Sequence, residues 1–152
     1  MEKTCCVTGH RNIPEDKRAY VEAELKKEVL SAIEDGYTRF ISGFAEGADL
    51  TFAAIVAELK AQGQSLFLEA AIPHAGRLKN KKQLFQKMIA ACDGVNILCN
   101  SYSRGCYFVR NRYMVDESSR VIAVYKGQES GGTFFTMQYA RKQGRTLRII
   151  KI

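Results

Sequence analysis

The chain has 152 residues, of which 46% are hydrophobic and 26% charged, and its formal net charge is +7. That length fits a single domain over residues 1–152, and no apolar run approaches the roughly 20 residues of a membrane-spanning helix. We therefore expect no membrane partner, whereas a basic chain of this kind suits polyanions such as nucleotides or nucleic acid.

The N-terminal residues lack the basic and then apolar segments of a secretory signal, so we expect a cytoplasmic protein. Five cysteines, an odd number, favour free thiols over a disulfide framework. The two histidines, His10 and His74, have no partner at the spacing of a metal site, so we predict that no metal is bound.

Short apolar runs alternate with amphipathic stretches along the whole chain. The apolar runs predict six strands, at Thr4–Thr8, Arg39–Ser42, Ser65–Ile72, Val95–Cys99, Arg120–Tyr125 and Thr146–Ile150. The amphipathic stretches predict five helices, which begin near Pro14, Asp49, Leu78, Cys106 and Thr133.

This alternation of strand and helix predicts an α/β fold, in which a mainly parallel sheet lies between two layers of helices. Because crossover connections between parallel strands are right-handed, we predict a doubly wound three-layer sandwich with the strand order 3-2-1-4-5-6.

Glycines stand among polar residues in four segments that follow predicted strands: Thr8–Arg11, Ser42–Asp49, Ser103–Cys106 and Ser130–Thr133. In the predicted sheet these segments lie at the carboxyl edge, and strands one and four flank the reversal of strand order, where ligands bind. Glycine lets the backbone approach a ligand closely, and free N–H groups at a helix start bind anions. The pattern therefore predicts a phosphate-binding site.

Two of these segments are candidates for the phosphate cradle. Gly131, Gly132 and Thr133, directly before the fifth helix, form the better one, although Thr133 also suits a plain helix cap. Gly43 and Gly47, before the second helix, form the other, with tight strand-to-helix packing as the alternative. No segment matches the P-loop, and the dinucleotide-binding Gly-x-Gly-x-x-Gly spacing is missing after strand one.

Charged side chains accompany the glycines. Arg11 follows strand one and is placed to hold a phosphate or carboxylate by paired hydrogen bonds. His10 beside it either contacts the ligand, moves a proton, or serves as a surface or capping residue. Arg112 and Asp116 are four residues apart, so they share a helix face and either join the site or form a surface ion pair.

Four segments in the same order, Cys6–Arg11, Ile41–Asp49, Arg110–Asp116 and Ser130–Thr133, together resemble the YpsA-like branch of the SLOG superfamily. That superfamily also contains the DNA-processing DprA proteins and the cytokinin-activating LOG enzymes. The resemblance covers nearly the whole chain. It implies a Rossmann-like fold with a pocket for a nucleotide-derived ligand, similar to ADP-ribose or NAD.

The loops and the resemblance together predict one set of ligand-binding residues. These are Thr8, Gly9, His10, Arg11, Ser42, Gly43, Glu46, Gly47, Asp49, Arg112, Asp116, Gly131, Gly132 and Thr133.

One departure from the superfamily bears on catalysis. LOG-type phosphoribohydrolases carry a Pro-Gly-Gly-x-Gly-Thr-x-x-Glu run whose glutamate is catalytic. In this chain Ser130 precedes the glycine pair, and Gln138 or Thr136 stands where that glutamate would be. The departure favours ligand binding over hydrolysis.

We therefore expect a sensor or regulatory module that binds a nucleotide-derived ligand without turning it over. A nucleotide-processing enzyme is the first alternative, with Glu46, Asp49 or Asp116 as its acid and Arg11 and Arg112 as its cations. Binding of single-stranded nucleic acid is the second, favoured by the net charge but not by any aromatic-rich strand. Aromatic residues around the fourth crossover suit either core packing or a surface at which copies of the chain associate, so a homo-oligomer is one alternative.

Overall fold

The computed structural model describes residues 2–152 and contains a sheet of six parallel strands between two layers of helices. The strands are β1 (Lys3–Gly9), β2 (Tyr37–Ser42), β3 (Phe67–His74), β4 (Gly94–Cys99), β5 (Arg120–Tyr125) and β6 (Thr146–Lys151). The helices are α1 (Arg18–Glu34), α2 (Ala48–Ala61), α3 (Gln83–Ala91), α4 (Cys106–Glu117) and α5 (Gly131–Lys142). This architecture confirms the predicted α/β fold class.

The position of β4 corrects the predicted strand order. The sheet runs β4-β3-β2-β1-β5-β6, whereas the prediction placed strand four beside strand one. Helices α1, α2 and α3 pack in a row on one face, so each right-handed crossover adds a strand in the same direction and β4 becomes an edge strand. The chain then returns through α4 on the opposite face and places β5 beside β1. Strands β1 and β5 therefore flank the reversal of strand order.

The burial of these two strands agrees with their positions. β5 is buried over Arg120–Val124, as expected of a central strand covered on both faces. β4 leaves Val95 and Ile97 exposed, since one of its sides has no neighbouring strand.

Two hydrophobic clusters lie on the two faces of the sheet. The larger contains Cys5, Val7 and Phe40 under α1 and α2, and the smaller contains Cys6 and Ile41 under α4 and α5. The adjacent cysteines thus point to opposite faces, because side chains alternate along a strand. All five cysteines are free thiols. Within residues 2–152 no helix is both long and apolar enough to cross a membrane.

Three helices begin at places other than those predicted. Short 3-10 turns at Glu15–Lys17 and Ala75–Lys79 precede α1 and α3, so both helices start later than expected. In contrast, α5 starts earlier, at Gly131, with Ser130 as its N-cap. The glycine pair therefore lies inside the first turn of α5 rather than before it, and Thr133 is not the cap.

Candidate functional site

A cavity of about 340 Å³ opens at the carboxyl edge of the sheet, where β1 and β5 lie side by side at the reversal of strand order. Its walls come from the end of β1 and the loop after it, the loop between β2 and α2 with the start of α2, one face of α4, the loop after β5, and the first turn of α5. The lining residues are Val7, Thr8, Gly9, His10, Arg11, Ala45, Asp49, Tyr107, Arg110, Asn111, Met114, Gln128, Ser130, Gly131, Gly132 and Thr133. Ligands bind at such a reversal in open α/β sheets.

The first turn of α5 forms one wall of this cavity. The backbone N–H groups of a first helical turn have no partner within the helix, and they carry the positive end of its dipole. The Ser130 side chain makes no capping hydrogen bond, so it leaves these groups free. Gly131 has a φ of +88°, which favours glycine, and nothing lies within 4 Å of a Cβ built there. The turn thus presents unshielded donors to the cavity.

Arg110, on α4, is a buried cation in the same cavity. It is 5% exposed, and its Nη1 donates to the carbonyl oxygen of Gly43 at 2.6 Å. Its Nε donates to Asn111 Oδ1 at 2.8 Å. Burial lowers the pKa of Arg110, the nearby charge of Asp49 raises it, and the charge of Arg11 lowers it. No side-chain carboxylate in residues 2–152 lies within ion-pair distance of this guanidinium, so an anion in the cavity would give it a direct partner.

Asn111 is held with its amide nitrogen facing the start of α5. Because its Oδ1 accepts the hydrogen bond from Arg110 Nε, its Nδ2 is left as a donor. That nitrogen is the atom nearest to a Cβ built at Gly132, at 4.0 Å. Asn111 therefore adds a neutral donor opposite the helix start.

Asp49 is the one carboxylate among the described residues that line the cavity. It is 7% exposed, and one of its oxygens accepts a hydrogen bond from the backbone N–H of Ala45. Burial raises the pKa of Asp49 to about 6, against the lowering effects of Arg110, Arg11 and Arg77. Three guanidinium groups thus act on a single carboxylate, which leaves this edge of the sheet with an excess of positive charge.

Gly43 and Gly47 are required by packing. A Cβ at Gly43 would lie 2.6 Å from Arg110 Nη1 and 2.8 Å from Asp49 Oδ2. Gly47 has a φ of +80°, and a Cβ there would lie 2.4 Å from the carbonyl oxygen of His10. Neither glycine lines the cavity. The loop after β2 thus follows the tight-packing alternative and serves to position Asp49 and Arg110.

Tyr107 connects the two arginines of the site. Its ring centre lies 5.4 Å from the guanidinium of Arg11 and 5.6 Å from that of Arg110. A cation over an aromatic face is attracted by the electrons of the ring. Tyr107 therefore holds both guanidinium groups at the cavity although they repel each other.

His10 joins the loop after β1 to the loop after β5. Its Nε2 accepts a hydrogen bond from the backbone N–H of Lys126 at 2.9 Å, so in the neutral ring the proton lies on Nδ1. Burial, and to a smaller degree the charge of Lys126, lowers the pKa of His10. The neutral ring is thus favoured, and His10 lines the cavity while it joins the two loops.

The cavity brings together eight of the predicted site residues: Thr8, Gly9, His10, Arg11, Asp49, Gly131, Gly132 and Thr133. The structure places the remaining six elsewhere. Ser42 is buried and donates to the carbonyl oxygen of Asp49 at 2.8 Å, and the two loop glycines only pack. Glu46 is exposed and paired with Lys82.

Arg112 and Asp116 also lie outside the cavity. Both are exposed on α4, and Asp116 Oδ1 accepts a hydrogen bond from the Tyr139 hydroxyl at 2.7 Å. The predicted ion pair between them does not form within residues 2–152. Arg112 lies outside the cavity because it is two positions beyond the inward-facing Arg110, slightly more than half a helical turn.

Several residues that line the cavity were not predicted from the sequence, above all Tyr107, Arg110 and Asn111. A signal for Arg110 exists in the sequence. Cys106, Arg110 and Met114 are spaced four residues apart and are all buried, so the arginine stands on the inward stripe of α4. A charged residue on an otherwise apolar stripe is a candidate for a buried functional group.

Comparisons with known proteins identify the family of this chain. A model of the YpsA family, described as the YspA SLOG family, matches residues 5–151. A UPF0398 protein of Bacillus pumilus (strain SAFR-032) is 24% identical in an alignment of length 151 that covers 91% of this chain and 81% of that protein.

Two solved structures are similar in fold. DNA processing protein A from Helicobacter pylori, described for its single-stranded DNA binding mode, matches with a TM-score of 0.70 at 15% identity. The match covers 97% of this chain and 64% of that one, so this chain spans less than two thirds of its length. The structural genomics target TM1055 matches with a TM-score of 0.62 at 13% identity, covering 95% of this chain and 72% of that one. The fold, the cavity at the strand reversal and the match over residues 5–151 together place this chain in the YpsA family of the SLOG superfamily.

Proposed function

We propose that the cavity binds a phosphate-containing, nucleotide-derived ligand similar to ADP-ribose or NAD, and that the protein acts as a sensor or regulatory module. The observation that carries this proposal is that the first turn of α5, which receives no side-chain capping hydrogen bond, shares one cavity with the buried Arg110, for which residues 2–152 supply no ion-pair partner. A cytoplasmic setting suits the five free thiols.

A phosphate satisfies both walls of the cavity. Its oxygens accept hydrogen bonds from the first-turn N–H groups, where the helix dipole also favours negative charge. Its charge compensates the guanidinium groups of Arg110 and Arg11, and charge-assisted hydrogen bonds of this kind are the stronger ones. The volume of about 340 Å³ lies within the usual range for small-molecule sites.

The shortage of candidate catalytic acids in the cavity favours ligand binding without turnover. Glu46 and Asp116, two of the three candidate acids, lie outside the cavity. At the positions where LOG enzymes carry their catalytic glutamate, Thr136 Oγ1 donates to the carbonyl oxygen of Gly132, and Gln138 is exposed. Hydrolysis in this cavity would therefore depend on Asp49.

Single-stranded nucleic acid is the second candidate ligand, and one surface feature favours it. Tyr102, 66% exposed on the loop before α4, lies edge-on to His74, which in turn lies edge-on to Tyr107 in the cavity. Exposed aromatic rings beside cations are what sequence-tolerant binding of single strands uses. Salt-dependent binding of an oligonucleotide that is lost in Tyr102→Ala would support this function, and salt-independent binding would contradict it.

Gly132→Ala separates ligand binding from folding. A Cβ at Gly132 meets no atom closer than 4.0 Å, and alanine in a helix is favoured over glycine by about 0.5–1 kcal/mol. The added methyl group nevertheless takes space in the cavity beside Asn111. We therefore expect an unchanged or higher melting temperature together with at least tenfold weaker binding of ADP-ribose in titration calorimetry.

Gly105→Ala is the matched control for this experiment. Gly105 precedes α4, does not line the cavity, and has nothing within 4 Å of a built Cβ. Its substitution should leave ADP-ribose binding unchanged. If the unaltered protein shows no heat of binding or melting shift with ADP-ribose, NAD or any other nucleotide in a broad panel, the proposed function is wrong.

A further inference from the structure

A second cavity, of about 440 Å³, lies next to the first. It is formed by the loop after β1, the start of α1, the start of α2 with the residues before it, and the residues around the start of α3. Arg11 lines both cavities. Between them, the backbone N–H of Ala48 donates to the carbonyl oxygen of His10, and Gly47 packs against the same loop. A ligand that occupies both cavities would therefore cross beside Arg11.

The second cavity has an apolar floor with more apolar side chains than line the first, and Leu84 is the most exposed of them. Its apolar side chains are Ile13, Val21, Leu50, Leu84 and Phe85. Four of them belong to the hydrophobic core, whereas Leu84 is 48% exposed. An apolar surface inside a cavity suits a flat, weakly hydrated group such as a heteroaromatic base.

The charges around this floor are nearly balanced. Glu22 and Glu46 face the cavity together with Arg11, Arg18 and Lys82, and Glu46 is paired with Lys82. Two carboxylates disfavour a second phosphate, but they accept hydrogen bonds from hydroxyl and amino groups, as acidic residues do from ribose in dinucleotide-binding folds. Thr51 supplies a further oxygen, because its hydroxyl donates to Gly47 and can still accept.

The Asn12 side chain offers both a donor and an acceptor at the same cavity. Within residues 2–152 it makes no hydrogen bond of its own. An amide side chain of this kind pairs with the edge of a purine through one donor and one acceptor.

We propose that the second cavity binds the nucleoside part of the ligand, with its base on the apolar floor, while a phosphate occupies the first cavity. This inference rests on the proposed function and narrows it to a ligand with two parts, a nucleoside and a phosphate-bearing group, joined beside Arg11. Nucleoside diphosphate conjugates of the ADP-ribose type have the required parts. A phosphate alone fills only the first cavity.

Two probes and two leucine variants test this arrangement in titration calorimetry of the whole chain. ADP-ribose represents the two-part ligand and inorganic pyrophosphate the phosphate alone. Leu84→Ser removes an apolar side chain from the second cavity. Leu30→Ser is the control, because Leu30 is 42% exposed against 48% for Leu84, lies on α1, and lines neither cavity.

We expect Leu84→Ser to weaken ADP-ribose binding about tenfold, as for the loss of one apolar contact, and to leave pyrophosphate binding unchanged. Leu30→Ser should change neither. If pyrophosphate and ADP-ribose bind and Leu84→Ser affects them equally or not at all, the inference is wrong while the proposed function stands. If the unaltered protein binds neither probe, the inference is wrong, and the nucleotide panel described above decides whether the proposed function stands.

Discussion

Replacing Asp49 by asparagine should make the protein more stable at neutral pH. Burial raises the pKa of this carboxyl from 3.8 to about 6. Each pKa unit corresponds to about 1.4 kcal/mol, so ionisation of Asp49 lowers the free energy of unfolding by about 3 kcal/mol. Asparagine keeps the oxygen that accepts the hydrogen bond from Ala45 N–H but carries no charge.

The sign of this effect depends on pH. Below pH 3.8 the carboxyl is protonated in both the folded and the unfolded state, so it does not lower the free energy of unfolding. Between pH 3.8 and 6 the folded protein holds a proton that the unfolded chain has lost, so stability falls as the pH rises. Above pH 6 the carboxylate is ionised in both states, and the full reduction of the free energy of unfolding is present. The free energy of unfolding of Asp49→Asn should therefore exceed that of the unaltered protein by about 3 kcal/mol at pH 7.5 and by less than about 1 kcal/mol at pH 4.

Urea denaturation of both proteins at pH 4, 5, 6 and 7.5 measures this difference. Other groups titrate in the same range, but they are common to both proteins and cancel when the two are compared. Asp16→Asn, at an exposed position before α1, controls for the loss of one surface charge. A difference in free energy that stays constant with pH, or a variant less stable than the unaltered protein at pH 7.5, would refute the inference that burial raises the pKa of Asp49.

Two further substitutions test the packing around the site. Gly9→Ala should lower the free energy of unfolding by about 1–3 kcal/mol, because the new Cβ would lie 2.4 Å from the Cβ of Ala48; a urea midpoint equal to that of Gly105→Ala would contradict this. Tyr113→Phe should cost about 1–3 kcal/mol, since its hydroxyl donates to the buried Glu69 and accepts from Asn96. An unchanged thermal midpoint would show that Arg39 satisfies Glu69 by itself.

Local patterns in the sequence were sufficient for the elements and for part of the site. Alternating apolar runs and amphipathic stretches identified all six strands and five helices, because their periodicity is a property of neighbouring residues. The same reasoning placed Thr8–Arg11 and Gly131–Thr133 at one edge of the sheet, since the carboxyl ends of parallel strands all lie there. These parts of the site could be found without knowing which strands are neighbours.

The choice between Arg110 and Arg112 required the rotation of α4 about its axis. Arg110 faces the cavity and Arg112 faces solvent, although the two belong to one polar cluster in the sequence. The stripe of Cys106, Arg110 and Met114 contained this information. The stripe alone does not show that an arginine can be buried there. Arg110 can be buried because it donates a hydrogen bond to the carbonyl oxygen of Gly43, sixty-seven residues away in the chain.

The sequence by itself thus determined the secondary structure, the fold class and the edge of the sheet at which a ligand would bind. Only the tertiary structure decided which strands flank the crevice, which side chains enter it, and that a second cavity adjoins it at Arg11. The physical reason is that apolar periodicity acts over a few residues. Strand order and cavity walls depend on which helices cover each face of the sheet, and those contacts join residues that are far apart in the chain.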